Sequence, residues 1–175
     1  VQVQSDGDTV TVTTEQDGLP ANLEVVADYR ILAPEGTDIS IRGTNGNIWL
    51  SRGCGSISVQ GDNTDIEIDR PLGPVVATST NGRVRVTDAP AGATIRTVNG
   101  NVYAHMLGGP LDASTVNGSI VARMVDSSVT ACRLTSQNGG ITLMMRDGCS
   151  ARVAAATKRG RVTSDFPVEG AEPRE

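Results

Sequence analysis

The chain predicts an all-β fold, a parallel β-helix (solenoid) of about seven 18–21-residue coils, right-handed by preference, and three observations point to it. First, Asn45, Asn63, Asn81, Asn99 and Asn117 follow one another at 18 residues, and Asn138 and Arg159 continue the series at 21. Second, glycine follows this anchor in six of the seven units, as Gly46, Gly82, Gly100, Gly118, Gly139 and Gly160, with Thr64 the one departure. Third, an aliphatic stands three places after every anchor: Ile48, Ile66, Val84, Val102, Ile120, Ile141 and Val162. A fixed period of this length marks a repeat architecture before any local propensity is consulted.

Three further columns complete each unit. Two places beyond the aliphatic come Leu50, Ile68, Val86, Ala104, Ala122, Leu143 and Ser164. Six before the anchor come Ile39, Ile57, Val75, Ala93, Leu111, Cys132 and Val153, and four before it Ile41, Val59, Ala77, Ile95, Ala113, Leu134 and Ala155. Every unit is therefore two short strands of period 2, one on each side of a turn. A series of Asn-Gly hairpins is the rival arrangement. The recurrence of one column with one chemistry decides for coils stacked in parallel at about 4.8 Å, where like lies over like. In such a stack the Asn amides hydrogen-bond to one another, and glycine is expected to supply a positive φ at the corner. Met106, Met124 and Met145 form a column seven after the anchor, read as adaptable filler on a third side of the coil. The longer spacing of the last two units falls at the loops holding Asp126-Ser127-Ser128 and Asp147-Gly148, where solenoids absorb insertions.

Residues 1–33 lie outside the register, with Val1, Val3, Val10 and Val12 alternating with polar residues and turns marked by Asp6-Gly7 and Asp17-Gly18. They predict an N-terminal β cap, since an uncovered terminal coil offers unpaired backbone to other chains. The repeats then occupy 34–166, and 167–175, with Pro167, Pro173 and three glutamates, is expected to be a flexible tail.

The net charge is −5 and no run of Lys or Arg exceeds two residues, so the footprint of a nucleic-acid or anionic-membrane partner is missing. Aromatic residues make up only 2%, which leaves the core to stacked Val, Ile, Leu, Ala and Met. No apolar stretch approaches the roughly 18 residues of a spanning helix, so direct membrane insertion by this chain is not expected. A signal or anchor segment is expected to lie outside it. Cys54, Cys132 and Cys149 are irregularly spaced, which indicates neither a disulfide framework nor a zinc site. Cys132 stands in an inward column and reads as a small buried hydrophobe.

The segment Ile31-Leu32-Ala33-Pro34-Glu35-Gly36-Thr37-Asp38-Ile39 is followed by Thr44-Asn45-Gly46-Asn47-Ile48, and "TVNG" plus an aliphatic recurs at Thr97–Val102 and Thr115–Ile120. Over about residues 30 to 165 this pattern resembles a bacterial adhesin-type family of unknown function, the DUF4097-like β-helical domains of envelope and surface proteins. The resemblance implies the fold and an extracytoplasmic location, often behind a signal peptide or membrane anchor. That family has no established catalytic residues, so it carries none over, and a shared fold does not itself name an activity.

The outward column four after the anchor is the candidate ligand strip: Trp49, Glu67, Arg85 and Tyr103, continued by Val121, Thr142 and Thr163, with Asp65, Asp69, Arg83 and His105 beside it. Trp49 and Tyr103 offer flat platforms for a sugar or peptide, and Glu67 and Arg85 offer hydrogen bonds. The plainer reading is an ordinary sheet surface, where opposite charges and a cation over a ring are favourable neighbours. His105 is the sole histidine and has no nucleophile arranged around it. The aspartates share no column, unlike the repeat of calcium-binding β-rolls. No catalytic residue, metal or cofactor is therefore assigned. The expectation is a non-enzymatic scaffold or adhesion-type module with a protein or cell-wall glycan partner, monomeric or weakly self-associating. A polysaccharide-acting β-helix enzyme and an end-to-end filament are the alternatives, and the loops Asp88-Ala89-Pro90 and Gly108-Gly109-Pro110 are the fallback site.

Overall fold

Alternating aliphatic and polar residues on both sides of each anchor become strands that stack tier upon tier. The computed structural model describes residues 2–13, 30–106, 108–125, 131–148 and 151–164, and among them there is no helix. The chain divides into two compact units, Val1–Ala33 and Pro34–Glu175. In the first, β1 (Gln2–Asp6) and β2 (Thr9–Thr13) form an antiparallel hairpin with Val3 opposite Val12. Its turn uses Gly7 at φ 57°. This hairpin is the described part of the section expected as a cap; the expected Asp17-Gly18 turn and the tail from Pro167 lie outside the described residues.

In the second unit every pairing is parallel. Two long strands, β3 (Ile39–Ser51) and β4 (Ile57–Asp69), run unbroken through the corner. Beyond them each tier contributes two strands: β5 (Val75–Asn81) and β6 (Val84–Thr87), then β7 (Ala93–Asn99) and β8 (Val102–Met106). These are followed by β9 (Leu111–Asn117) and β10 (Ile120–Met124), β11 (Ala131–Asn138) and β12 (Ile141–Met145), and β13 (Arg152–Arg159) and β14 (Val162–Ser164). One face carries the first halves of β3 and β4, then β5, β7, β9, β11 and β13; the other carries the second halves, then β6, β8, β10, β12 and β14. Seven tiers result, joined by six turns of a β-solenoid. Each column stays in register across the 18-residue spacing, with Ile66 beside Val84 and Val84 beside Val102, and across the 21-residue spacing, with Ile120 beside Ile141. A hairpin series would pair antiparallel, so the parallel ladders exclude it.

The core is the space between the two faces. Ile57, Val59, Ile66, Ile68, Val84, Val86, Ile95, Val102, Leu111, Ile120, Leu134 and Ile141 are buried there, interleaved with Ala77, Ala93, Ala104, Ala113 and Ala122. The inward columns of the first tier, Ile41, Ile48 and Leu50, and of the last, Val153 and Ala155, are only partly covered. The methionine column differs from expectation. Met106, Met124 and Met145 are the last residues of β8, β10 and β12, so they extend the second face rather than build a third side. Met106 and Met124 are fully buried. In the three earlier tiers the same column holds Arg52, Arg70 and Asp88, whose φ values of 32°, 51° and 55° turn the chain at that point and end the strand one residue earlier.

The corner shows why Asn and Gly recur. Asn63, Asn81, Asn99, Asn117 and Asn138 each donate Nδ2 to the Oδ1 of the preceding tier's Asn, at 2.7–2.8 Å, a ladder of amides running from Asn45. The glycines have a different task from the one expected. Only Gly46 and Gly139 have a positive φ, at 125° and 155°; Gly82, Gly100, Gly118 and Gly160 do not. At those four positions a Cβ would run into the carbonyl oxygen of the residue that follows the preceding tier's Asn: Thr64, Gly82, Gly100 and Gly139 respectively for Gly82, Gly100, Gly118 and Gly160. Close approach of backbone to backbone, rather than a left-handed φ, is what requires glycine there.

A second ladder lies beneath the first. Ser79, Thr97, Thr115, Ser136 and Thr157, two residues before each anchor, donate their hydroxyls to the backbone oxygens of Thr64, Gly82, Gly100, Gly118 and Gly139 at 2.8–3.2 Å. The one break in the glycine column is explained by the same space. In the second tier the residue two before the anchor is Gly61, and the Thr64 side chain is buried where a hydroxyl residue would otherwise sit; a Cβ on Gly61 would stand 2.5 Å from the Cβ of Thr64. Threonine and glycine have exchanged places across the corner.

Candidate functional site

The outward column is assembled as its spacing predicts. Trp49 lies beside Glu67 on β3 and β4, Glu67 beside Arg85 on β6, and Arg85 beside Tyr103 on β8. Tyr103 is followed by Val121, Thr142 and Thr163. Because side chains alternate across a strand, burial of Ile48, Ile66, Val84 and Val102 forces this column to the outside. Trp49 is 72% exposed. Glu67 and Arg85 form an ion pair at 3.9 Å, with both side chains more than half exposed, so water and salt screen it and it contributes little to stability.

The neighbours serve the fold more than a ligand. Asp65 accepts from the Arg83 backbone N–H at 2.7 Å and from its guanidinium at 3.3 Å, bracing one tier on the next. Asn101 accepts from the Ser119 N–H in the same way at 2.9 Å. His105 lies 3.9 Å from Asp88 through Nδ1, and Asp69 pairs with Arg70 at 3.1 Å. A shallow hollow of about 180 Å³ indents this face, lined among others by Arg85, Thr87, Tyr103, His105, Arg123 and Met144. Of the four strip residues it takes in Arg85 and Tyr103 and leaves Trp49 and Glu67 on the flat sheet to one side.

The larger of these two concavities is on the first face, next to the corner, away from the strip residues. It is an open groove of about 660 Å³ that crosses the tiers. Its walls are the residues three, two and one before the anchor in four successive tiers: Arg42-Gly43-Thr44, Gln60-Gly61-Asp62, Thr78-Ser79-Thr80 and Arg96-Thr97-Val98, with Ser114 at the end. The column Arg42, Gln60, Thr78, Arg96, Ser114 is in register throughout. The columns three and one before the anchor are mostly polar in the sequence, with Val98 an exception, but the concavity they border is set by the backbone beneath them.

Among the described residues no three His, Cys, Asp or Glu side chains converge as a metal site would need. Cys132 is buried in its inward column, and burial pushes its thiol up to about 12. Burial also raises the Cys54 thiol, partly offset by a backbone hydrogen bond that lowers it. Cys149 lies outside the described residues. The fallback loops are close-packed in part: Ala89 and Gly108 are buried, and a Cβ on Gly92 would collide with Pro110. A scan against protein-family models and searches of curated proteins and of solved structures return no match to this chain.

Proposed function

We propose that this chain is a non-enzymatic scaffold or adhesion-type binding module of a bacterial envelope or surface protein, holding a rigid sheet face toward a protein or cell-wall glycan partner. The observation that supports it best is the in-register outward column, where Trp49 and Tyr103 bracket the exposed Glu67–Arg85 pair on a face whose strands are bonded to neighbours in the stack. Such a face loses little conformational freedom on binding, and an exposed indole is the kind of group that anchors a partner. The envelope setting rests on the resemblance carried by the repeated Asn-Gly turns. The test is co-sedimentation with purified cell-wall sacculi and titration against an array of glycans. Wild type should bind, and Trp49→Ser with Tyr103→Ser should weaken binding at least about tenfold while the melting temperature barely moves. Retention of full affinity would remove the strip from the proposal. Turnover of any glycan on the array would replace the module by a polysaccharide-acting enzyme.

One observation favours a second reading, end-to-end assembly. The inward columns of the first and last tiers are incompletely covered, and Val162 is 41% exposed. Another copy stacked in register would extend both the strands and the core. Sedimentation velocity over a range of concentrations separates the readings, because open stacking grows with concentration and a monomeric module does not.

A further inference from the structure

We infer that the groove beside the corner is a second binding site, separate from the aromatic strip, and that it takes an extended acidic oligosaccharide. The inference rests on the binding-module reading and gives it a ligand class. The groove runs along the stack, perpendicular to the strands, so a ligand lying in it meets a new set of side chains at every tier. Along one wall stand Arg42, Gln60, Thr78, Arg96 and Ser114. Arg42 has no carboxylate partner among the described residues, whereas Arg96 is held 3.6 Å from Asp112. Arg42 and Arg96 are three tiers apart, about 14 Å, which is the reach of two or three sugar rings. Two guanidinium groups at that separation match acid groups spaced along a chain, because Arg presents paired donors suited to carboxylate.

The wall between the two arginines offers an amide and hydroxyls, and across the groove Thr44, Asp62 and Thr80 add donors and acceptors, with Thr80 donating to Asp62 at 3.4 Å. That mixture suits a ligand that both donates and accepts at short intervals, as hydroxyl-rich sugars do. An acidic peptide is less well served. Extended peptides take much of their affinity from main-chain bonds to a free sheet edge, and β4, β5 and β7 beneath the groove are already paired on both sides. The two glycines in the groove floor, Gly43 and Gly61, place no side chain in it.

The experiment titrates the intact chain with a short oligogalacturonate, with a neutral gluco-oligosaccharide of the same length and a poly-glutamate peptide as comparison arms. Three proteins are compared: wild type, Arg42→Ala with Arg96→Ala, and Arg133→Ala with Arg152→Ala, which removes two exposed arginines from the same face outside the groove. The expected result is binding of the acidic sugar that weakens as ionic strength rises, falls at least about tenfold in the Arg42/Arg96 variant, and is unchanged in the Arg133/Arg152 variant. A third variant, Arg42→Lys with Arg96→Lys, keeps the charge and should retain part of the affinity. The inference is overturned if wild type does not bind the acidic sugar, if the peptide binds better, or if the Arg42→Ala with Arg96→Ala variant binds like wild type. In any of those cases the binding-module reading is still judged separately, by the sacculus and strip measurements.

Discussion

Val102 and Tyr103 are adjacent in sequence and opposite in consequence. Val102 is sealed between the two faces while Tyr103 stands in the outward column. Val102→Asp would bury an unpaired carboxylate and should cost several kcal/mol, whereas Tyr103→Asp should cost well under 1 kcal/mol, roughly. Thermal melts followed by circular dichroism check this, and equal melting temperatures would mean that the register is off by one residue. Cys132 makes a second residue-scale prediction. Its folded thiol titrates at about 12 against an ordinary 9.0, so between those values the unfolded chain holds fewer protons than the folded one. The stability associated with the protonated thiol is complete below pH 9.0 and is lost as pH rises toward 12. Wild type should therefore lose melting temperature more steeply over that range than Cys132→Val. In the native state at neutral pH, Cys132 should resist alkylation while Cys54 reacts faster, as site-resolved mass spectrometry would read.

Corners act as units larger than a residue. Gly61 and Thr64 occupy one shared space, so the two positions must be coupled. Gly61→Ser alone should collide with the Thr64 side chain, and Thr64→Gly alone should leave a hole; each should destabilise by roughly 1–3 kcal/mol. Together they recreate the arrangement of the later tiers, and urea unfolding should show much of the loss recovered. Gly100→Ala has no such remedy, because its Cβ meets the Gly82 carbonyl, and it should be more damaging than Gly46→Ala, where the added Cβ has open space around it and the cost is the strain of a φ of 125°. The amide ladder is directional: each Nδ2 points to the tier before, which leaves the Oδ1 of Asn138 toward the last tier, where Arg159 stands. Arg159→Asn supplies the matching amide, lengthens the ladder by one bond, and should stabilise by about 0.5–1 kcal/mol in the same measurement.

At the scale of the whole stack, the last tier is rich in positive charge. The last tier carries Arg152, Lys158, Arg159 and Arg161 on a chain whose net charge is −5. Positively charged side chains on a terminal strand are a recognised means of discouraging edge-to-edge pairing. Wild type should accordingly sediment as a monomer or weakly associating species at moderate salt. Raising the ionic strength screens those charges, so association through this end should increase with salt. Binding of an acidic sugar in the groove should weaken with salt, so the two behaviours can be measured in one series.

The repeat itself was legible from sequence alone. The 18- and 21-residue spacings, the inward columns and the Asn ladder all follow from one requirement, that identical positions lie above one another at a constant rise. Local alternation also placed Trp49, Glu67, Arg85 and Tyr103 on one outward line, because period 2 leaves no other side for them. Tertiary structure decided what depends on distance between backbones. Most of the corner glycines answer to a carbonyl one tier away and not to their own φ, and Thr64 is tolerated because Gly61 makes room. The methionines extend the second face because the later tiers turn beyond the positions where Arg70 and Asp88 end the earlier ones. Concavity is likewise a property of how the tiers bend: an outward column can be read as a line of residues, but whether that line is a ridge, a flat strip or the wall of a groove depends on the path of the backbone beneath it.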